Sequence, residues 1–172
     1  MSPSKSNARN ARVYDRRSNL TLDAAISVDM AARFRHLSSH NLLPILQQLV
    51  MAPFDLHSHM QERIGQAASA AAKGKDARIV LKMNALTDEV LIAALIDAGA
   101  LGVQIDLIVR GACMLPAQVP GRTENIRVRS VIGRFLEHTR VFYFAWGTHE
   151  EVYLSSADWM NRNMLRRVEL AW

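Results

Sequence analysis

The sequence predicts an α/β fold in which a mixed β-sheet is flanked by helices. Two apolar runs rich in β-branched residues, at 78–83 and 103–109, are typical of buried strands. The segment between them repeats its apolar residues with a helical period and forms one apolar face. We predict that Thr87 is the N-cap of this helix and that Gly99 ends it. A strand, a helix and a strand at this spacing predict a unit with two parallel strands.

The same periodicity predicts three helices before this unit and four strands after it. The helices lie at 22–37, 42–50 and 56–73, with a break at 38–41, a turn at Ala52-Pro53 and Gly74 after the third helix. The strands lie at 126–130, 141–145, 152–155 and 167–171. Because the last strand reaches almost to Trp172, we expect the domain to be truncated there. The 172 residues, 49% of them hydrophobic, suffice for about one domain with its own core.

The chain is basic, with a formal net charge of +5, and the excess charge is concentrated in two segments. Residues 1–17 carry five basic side chains against Asp15, and residues 122–140 carry five against two acids. This pattern predicts either a polyanionic partner (nucleic acid, a phosphate chain or anionic lipid) or simply a solvated basic face. Aromatic residues do not alternate with the arginines of 122–140, so we expect no specific nucleic-acid partner.

Several classes of protein are excluded by what the sequence lacks. The single cysteine, Cys113, excludes an intramolecular disulfide framework and a cysteine-based zinc site. No apolar run approaches the roughly 18 residues of a membrane span, and the N-terminus lacks the apolar core of a secretion signal. We therefore expect a cytoplasmic protein without a membrane span, or one that is peripheral at the membrane.

Metal and nucleotide motifs are also scarce. His57 and His59 are poorly spaced for one face of a helix, so we predict structural roles for them and no metal ligands. Neither a Walker A loop nor a G-x-G-x-x-G loop occurs in the sequence. Any nucleotide must therefore be held in another way.

Polar side chains lie where the predicted strands end or begin. Arg110 directly follows 103–109, and Ser155 and Ser156 close 152–155, at the carboxyl ends where open α/β sheets bind ligands. His138 and Arg140 precede the strand at 141–145, and their spacing places both on one face. A neutral histidine can accept a phosphoryl group, and an arginine can neutralise phosphate. By themselves, these residues are also compatible with a structural histidine and surface arginines.

A histidine and a basic residue two positions later, ahead of a small polar run, resemble the layout of the phospholipase D superfamily. The polar run would be residues 155–158 (SSAD). Taken together, further segments resemble polyphosphate kinase, in family order and at family spacing. These are 79–86 (IVLKMNAL), 105–111 (IDLIVRG), 124–136 (ENIRVRSVIGRFL), 137–144 (EHTRVFYF), 151–163 (EVYLSSADWMNRN), 166–169 (RRVE) and, more loosely, 10–15 (NARVYD).

The resemblance implies a phospholipase D-like domain and a reaction in which the γ-phosphate of ATP passes reversibly to polyphosphate through a phosphohistidine. It implies that Tyr14, Arg110 and His138 contact ATP, with His138 as the catalytic residue, and Arg140 is a further candidate phosphate contact. Residues 1–50 would be the end of the preceding C-terminal domain, a basic arm with helices, and 51–172 the last domain. ATP, ADP and polyphosphate would be the ligands, and the full-length family implies a homo-oligomer.

One segment that the family pattern requires does not occur in this sequence. In the family, the phosphorylated histidine lies in a lysine-threonine-histidine-alanine-lysine segment of the preceding domain, and the Mg²⁺ ligands also lie upstream. We therefore expect the chain to be catalytically incomplete by itself. Two alternatives stay open: a non-catalytic protein that binds ATP or polyphosphate, and a phospholipase D-type phosphodiesterase. The latter would need a symmetric dimer to bring two His138 side chains together, because only one such motif is present.

Overall fold

The computed structural model describes residues 24–39 and 48–172, and the chain divides into two compact units at residues 49 and 50. Within the first unit, helix α1 spans Ala24–Ser39, so the predicted helix at 22–37 is confirmed over 24–37 and continues through Ser38 and Ser39 of the predicted break at 38–41. The rest of both predictions lies outside the described residues. The Asp29 carboxylate accepts hydrogen bonds from the backbone N–H groups of Gln48 and Leu49, at 2.7 and 3.0 Å. Buried Asp29 thus satisfies two backbone donors at the end of this unit.

The second unit is built on a seven-stranded mixed sheet with the strand order β1-β7-β6-β5-β2-β3-β4. Its elements, in chain order, are β1 (Val50–Ala52), α2 (Leu56–Ala72), β2 (Ala77–Met83), α3 (Glu89–Ala100), β3 (Gln104–Val109), β4 (Ile126–Arg129), β5 (Arg140–Trp146), β6 (His149–Ser155), α4 (Asn161–Leu165) and β7 (Glu169–Ala171). Strands β2, β3 and β4 are parallel, and the other pairings are antiparallel. The predicted strand-helix-strand unit with its parallel pair is therefore confirmed.

Helices α2 and α3 pack on the sheet and complete the core. Helix α2 buries residues spaced by three or four positions, which places them on one face toward the sheet (Leu56, Met60, Ile64, Ala67 and Ala70). Strand β2 buries every second residue, whereas Arg78, Val80 and Lys82 lie on its opposite face. This second face carries most of the cationic side chains discussed below.

Several predicted boundaries are wrong, each for a local reason. The helix predicted at 42–50 falls mostly outside the described residues, but Val50 begins β1, because it pairs with Ala171 of β7. Helix α3 continues past Gly99, and the positive φ of Gly102, +102°, follows its end. The last strand, predicted from residue 167, begins only at Glu169, and the short helix α4 was not predicted.

The N-cap of α3 is Asp88, not Thr87 as predicted, because the Asp88 carboxylate accepts from the Leu91 N–H at 3.0 Å. We expect Asp88→Ala to lower the free energy of unfolding by about 1–2 kcal/mol, since an unsatisfied helix donor is left buried. Thr87→Ala is the matched control and should change stability by less than about 0.5 kcal/mol. Urea titrations of both variants test this. Equal losses of unfolding free energy in the two variants would mean that neither side chain caps the helix.

Candidate functional site

The predicted site residues converge at one edge of the sheet, where β2, β3 and β6 end and β5 begins. Arg110 directly follows β3, and its backbone N–H donates to the Met83 carbonyl at the end of β2. Strand β5 lies beside β2 with Lys82 opposite Val141, so His138 stands next to the same end. Arg140 pairs with Ser155 at the end of β6. The sheet topology therefore brings together residues that are far apart in the sequence.

Three cationic side chains hold the backbone around His138. The carbonyl oxygens of 137, 138 and 139 accept hydrogen bonds from Arg110 Nη1 (2.8 Å), Arg140 Nη1 (3.3 Å) and Lys82 Nζ (3.1 Å), respectively. Hydrogen bonds from charged donors are stronger than those from neutral ones, so this short segment is firmly fixed. We call residues 137–139 the histidine segment.

The His138 side chain itself is exposed. Its imidazole makes no hydrogen bond with another side chain in the part of the chain that the structure describes, although its backbone is held on both sides. Lys82 Nζ also forms an ion pair with Glu137 Oε2 at 2.9 Å. The arrangement presents an imidazole to solvent beside several positive charges, which suits a polyanionic ligand.

Arg140 is anchored in a buried ion pair with Asp158. Its Nε and Nη2 donate to Oδ1 and Oδ2 of the carboxylate at 3.0 and 2.9 Å, and both side chains are only 11–12% exposed. Asp158 also accepts from the backbone N–H groups of Asn84 and Ala85. Burial alone would raise the pKa of the Asp158 carboxyl, but the hydrogen bonds from Arg140 and from Asn84 outweigh it and lower this pKa. Arg140 thus links the histidine segment to the segment after β6.

The remaining sequence predictions have different outcomes. Ser155 Oγ donates to the Leu170 carbonyl at 2.9 Å, and Ser156 donates to the Glu169 carboxylate, so both hydroxyls bind β7. Tyr14 lies outside the described residues. Lys82 and Asp158 had no predicted role, although Lys82 is a cation inside the apolar run at 78–83 and Asp158 ends the polar run at 155–158.

His57 and His59, for which structural roles were predicted, each contact a polar side chain of another element. His57 Nε2 lies 3.1 Å from Asp88 Oδ1, and His59 Nε2 lies 2.9 Å from the Tyr153 hydroxyl. Burial and the neighbouring charge of Arg63 lower the pKa of His59, which favours its neutral form. Across residues 24–39 and 48–172, no group of three or more histidine, cysteine or acidic side chains could hold a metal ion.

Comparison with known proteins identifies the family. Residues 49–172 match the family model described as polyphosphate kinase C-terminal domain 2. This chain belongs to the polyphosphate kinase family. A polyphosphate kinase of Burkholderia cenocepacia (strain HI2424) is 49% identical over 164 residues, which cover 95% of this chain and 24% of that protein. The chain thus spans about a quarter of the length of the curated relatives that it matches.

A solved structure of a relative agrees with this family assignment. The crystal structure of polyphosphate kinase from Porphyromonas gingivalis matches 87% of this chain and 23% of its own, with a TM-score of 0.82 and 37% identity. Nuc from Salmonella typhimurium, a phospholipase D family member, covers 72% of this chain and 78% of its own at a TM-score of 0.44 and 15% identity. The predicted family is confirmed, and so is the predicted α/β fold class. No helix in the described ranges is long and apolar enough to cross a membrane.

Proposed function

We propose that this chain supplies the phosphate-binding part of a polyphosphate kinase active site, with Arg110 and His138 contacting the phosphates of ATP and polyphosphate. The observation that supports this most is the exposed imidazole of His138 on a segment held by Arg110, Arg140 and Lys82. In this proposal Tyr14 contacts the nucleotide. Arg140 acts mainly by holding the histidine segment, since its guanidinium binds Asp158, and a direct phosphate contact stays a prediction.

The proposed reaction is reversible transfer of the γ-phosphate of ATP to polyphosphate through a phosphohistidine. A histidine nitrogen attacks the γ-phosphorus, the bond from that phosphorus to the β–γ bridging oxygen breaks, and ADP leaves. A terminal oxygen of polyphosphate then attacks the phosphorus of the phosphohistidine, the phosphorus–nitrogen bond breaks, and the free histidine is released with the polyphosphate one phosphate longer. Because phosphoryl transfer depends on positioning and charge stabilisation, His138 would serve as a second phosphate ligand or as the proton donor opposite the nucleophile.

The nucleophilic histidine is proposed to come from a preceding domain, because the family's lysine-threonine-histidine-alanine-lysine segment does not occur in this sequence. Residues 1–50 would be the end of that domain, and residues 51–172 the last domain. The Mg²⁺ that accompanies ATP does not fit the described residues here. Glu137 and Asp158, the carboxylates described beside His138, are paired with Lys82 and Arg140. We therefore assign the Mg²⁺ ligands to the same upstream region. From the family resemblance we also propose that the complete enzyme is a cytoplasmic homo-oligomer.

Transfer of label from γ-labelled ATP, with Mg²⁺, to the purified chain and to polyphosphate tests the proposal. We expect ATP and polyphosphate to bind without label transfer. Label on His138 or in the polymer would contradict the assignment of the nucleophile to another domain. Hydrolysis of a phosphodiester substrate by a dimer of the chain would instead support the phospholipase D-type alternative, and binding that never supports transfer when the upstream domains are supplied would support a non-catalytic protein.

Arg110 gives a separate prediction about binding. We expect Arg110→Gln to weaken ATP binding by the chain by about 10- to 100-fold, since a charged hydrogen bond contributes about 1.5–3 kcal/mol. Arg122→Gln removes the same charge from an exposed position in the connection between β3 and β4 and is the matched control. Isothermal titration calorimetry measures both affinities. Equal weakening by the two variants would mean that only the overall charge of the chain matters.

A further inference from the structure

A single buried carboxylate on the second face of the sheet lies within ion-pair distance of three arginines. Asp106 lies on β3, and its oxygens are 3.0 Å from Arg78 Nη2, 3.3 Å from Arg127 Nε and 3.5 Å from Arg129 Nη2. The Asp106 side chain is 5% exposed, whereas the three arginine side chains are 59%, 57% and 72% exposed. We call Arg78, Arg127 and Arg129 the arginine row.

The arginine row carries more positive charge than the structure requires. One guanidinium is enough to pair with Asp106, and each further one adds repulsion between like charges on neighbouring strands. A guanidinium has five N–H donors. Arg78 donates one hydrogen bond to Asp106 Oδ2, whereas Arg127 and Arg129 lie within ion-pair distance of Oδ1 and do not hydrogen-bond it. The other donors on these exposed side chains are available to an anion, and the fork geometry of arginine matches phosphate oxygens.

The arginine row also borders a concave surface. Arg78 and Arg127 line an open cleft of about 460 Å³ together with Lys75, Gln104 and Trp146. One acidic residue, Asp76, is among the lining side chains. The cleft therefore offers an anion a partly enclosed site with a positive excess, where field lines are concentrated.

The row is continuous with the site at His138. Ser130 directly follows Arg129, and its hydroxyl donates to the Arg110 carbonyl at 3.0 Å. On β2, Lys82 and Arg78 lie on the same face, about 13 Å apart at the usual strand rise of about 3.3 Å per residue. Positive side chains thus extend from the histidine segment along the sheet to the cleft.

We propose that the arginine row and its cleft bind a polyphosphate chain whose terminal phosphates occupy the site at Arg110 and His138. This inference rests on the proposed function and adds a second contact surface to it. A polyphosphate chain carries closely spaced charges without bases, which suits a row of guanidinium groups in a cleft lined by one aromatic side chain. Single-stranded nucleic acid is the less favoured ligand, because base stacking needs several aromatic side chains.

The test compares the 172-residue chain with the double variant Arg78→Gln/Arg127→Gln, using long-chain polyphosphate and tripolyphosphate as probes. We expect the double variant to bind the long chain at least about tenfold more weakly. The slope of the logarithm of its binding constant against the logarithm of the salt concentration should be smaller in magnitude by about 2, one for each lost phosphate contact. Tripolyphosphate, which reaches only the site at His138, should bind unchanged. The matched control is Arg166→Gln/Arg167→Gln, which removes two exposed charges just before β7, on the far side of the sheet from β4.

Asp106→Asn provides a test in the opposite direction and does not depend on the folding of the double variant. Removing the carboxylate leaves all three guanidinium groups free for the ligand, so affinity for the long chain should rise several-fold. Unchanged or weaker long-chain binding by Asp106→Asn would overturn the proposal. Equal losses of long-chain affinity in the double variant and in its control would also overturn it. So would binding of an oligothymidylate that depends on the arginine row and is tighter than the binding of polyphosphate. If the unaltered chain binds neither probe, the proposed function itself fails, whereas binding that is insensitive to the row overturns this inference alone.

Discussion

Replacing His138 with alanine is expected to lower phosphoryl transfer by about 10²–10⁴-fold, the range typical of lost general acid–base catalysis. The effect should be chemical and not structural, because the imidazole is exposed and its backbone is held by Arg110, Arg140 and Lys82. The assay uses a chimera in which this chain replaces the matching quarter of the Burkholderia cenocepacia polyphosphate kinase, and follows polyphosphate synthesis from labelled ATP. The thermal unfolding midpoint of the variant chain should stay within a few degrees of the unaltered chain.

His149→Ala is the matched control for this measurement. His149 is also an exposed histidine, but it begins β6 at the far end of β5, about 25–30 Å from His138 along the strand direction, and is paired with Glu151. We expect the His149 variant to retain most of the activity of the chimera. Near-normal synthesis by the His138 variant would contradict its proposed role, and equal losses in both would indicate a general effect of surface histidines.

The parts of the fold that could be predicted are those specified by nearby residues. Strands β2 and β3 and helix α3 carry strong local periodicity, and each was found close to its predicted bounds. Strands β1 and β7 have only three residues each, and they form because Val50 pairs with Ala171 across almost the whole second unit. No local pattern specifies such a pairing. The N-cap was misassigned because Thr87 and Asp88 are both good caps by residue type, and only geometry selects between them.

The residues of the candidate site likewise fall into those that could be predicted from the sequence and those that could not. Arg110 and His138 could be singled out because each stands next to an apolar strand, and the topology of the sheet then brings both to one edge. The roles of Lys82 and Asp158 depend on contacts with residues 57 and 18 positions away, which spacing alone does not reveal. Likewise, Arg140 was predicted as a phosphate contact from its position beside His138, whereas the structure shows its guanidinium bound to Asp158.

Asp158→Asn is expected to have the largest effect on stability, a loss of about 3–5 kcal/mol in the free energy of unfolding. The isosteric change removes the counter-charge of Arg140, whose side chain is only 12% exposed, and weakens the acceptor for the Asn84 and Ala85 N–H groups. Urea unfolding of Asp158→Asn, Arg140→Gln and the double variant forms a double-mutant cycle. We expect a coupling energy of about 1–3 kcal/mol, because the second change adds little once the pair is broken. Strictly additive losses would mean that the two side chains act independently.

The same pair predicts how stability depends on pH. Because the pKa of Asp158 is lower in the folded than in the unfolded chain, its stabilising contribution is fully present above the ordinary value of 3.8 and is lost as the pH falls through the lower folded pKa. The unaltered chain should therefore lose stability below about pH 4 more steeply than Asp158→Asn, which has no proton to bind there. Parallel acid profiles for the two proteins would contradict this account. Arg140 also donates a hydrogen bond to the His138 carbonyl. We therefore expect Asp158→Asn to lower polyphosphate synthesis by the chimera at pH 7, where the chimera is still folded. The loss of synthesis should be larger than the loss of ATP affinity.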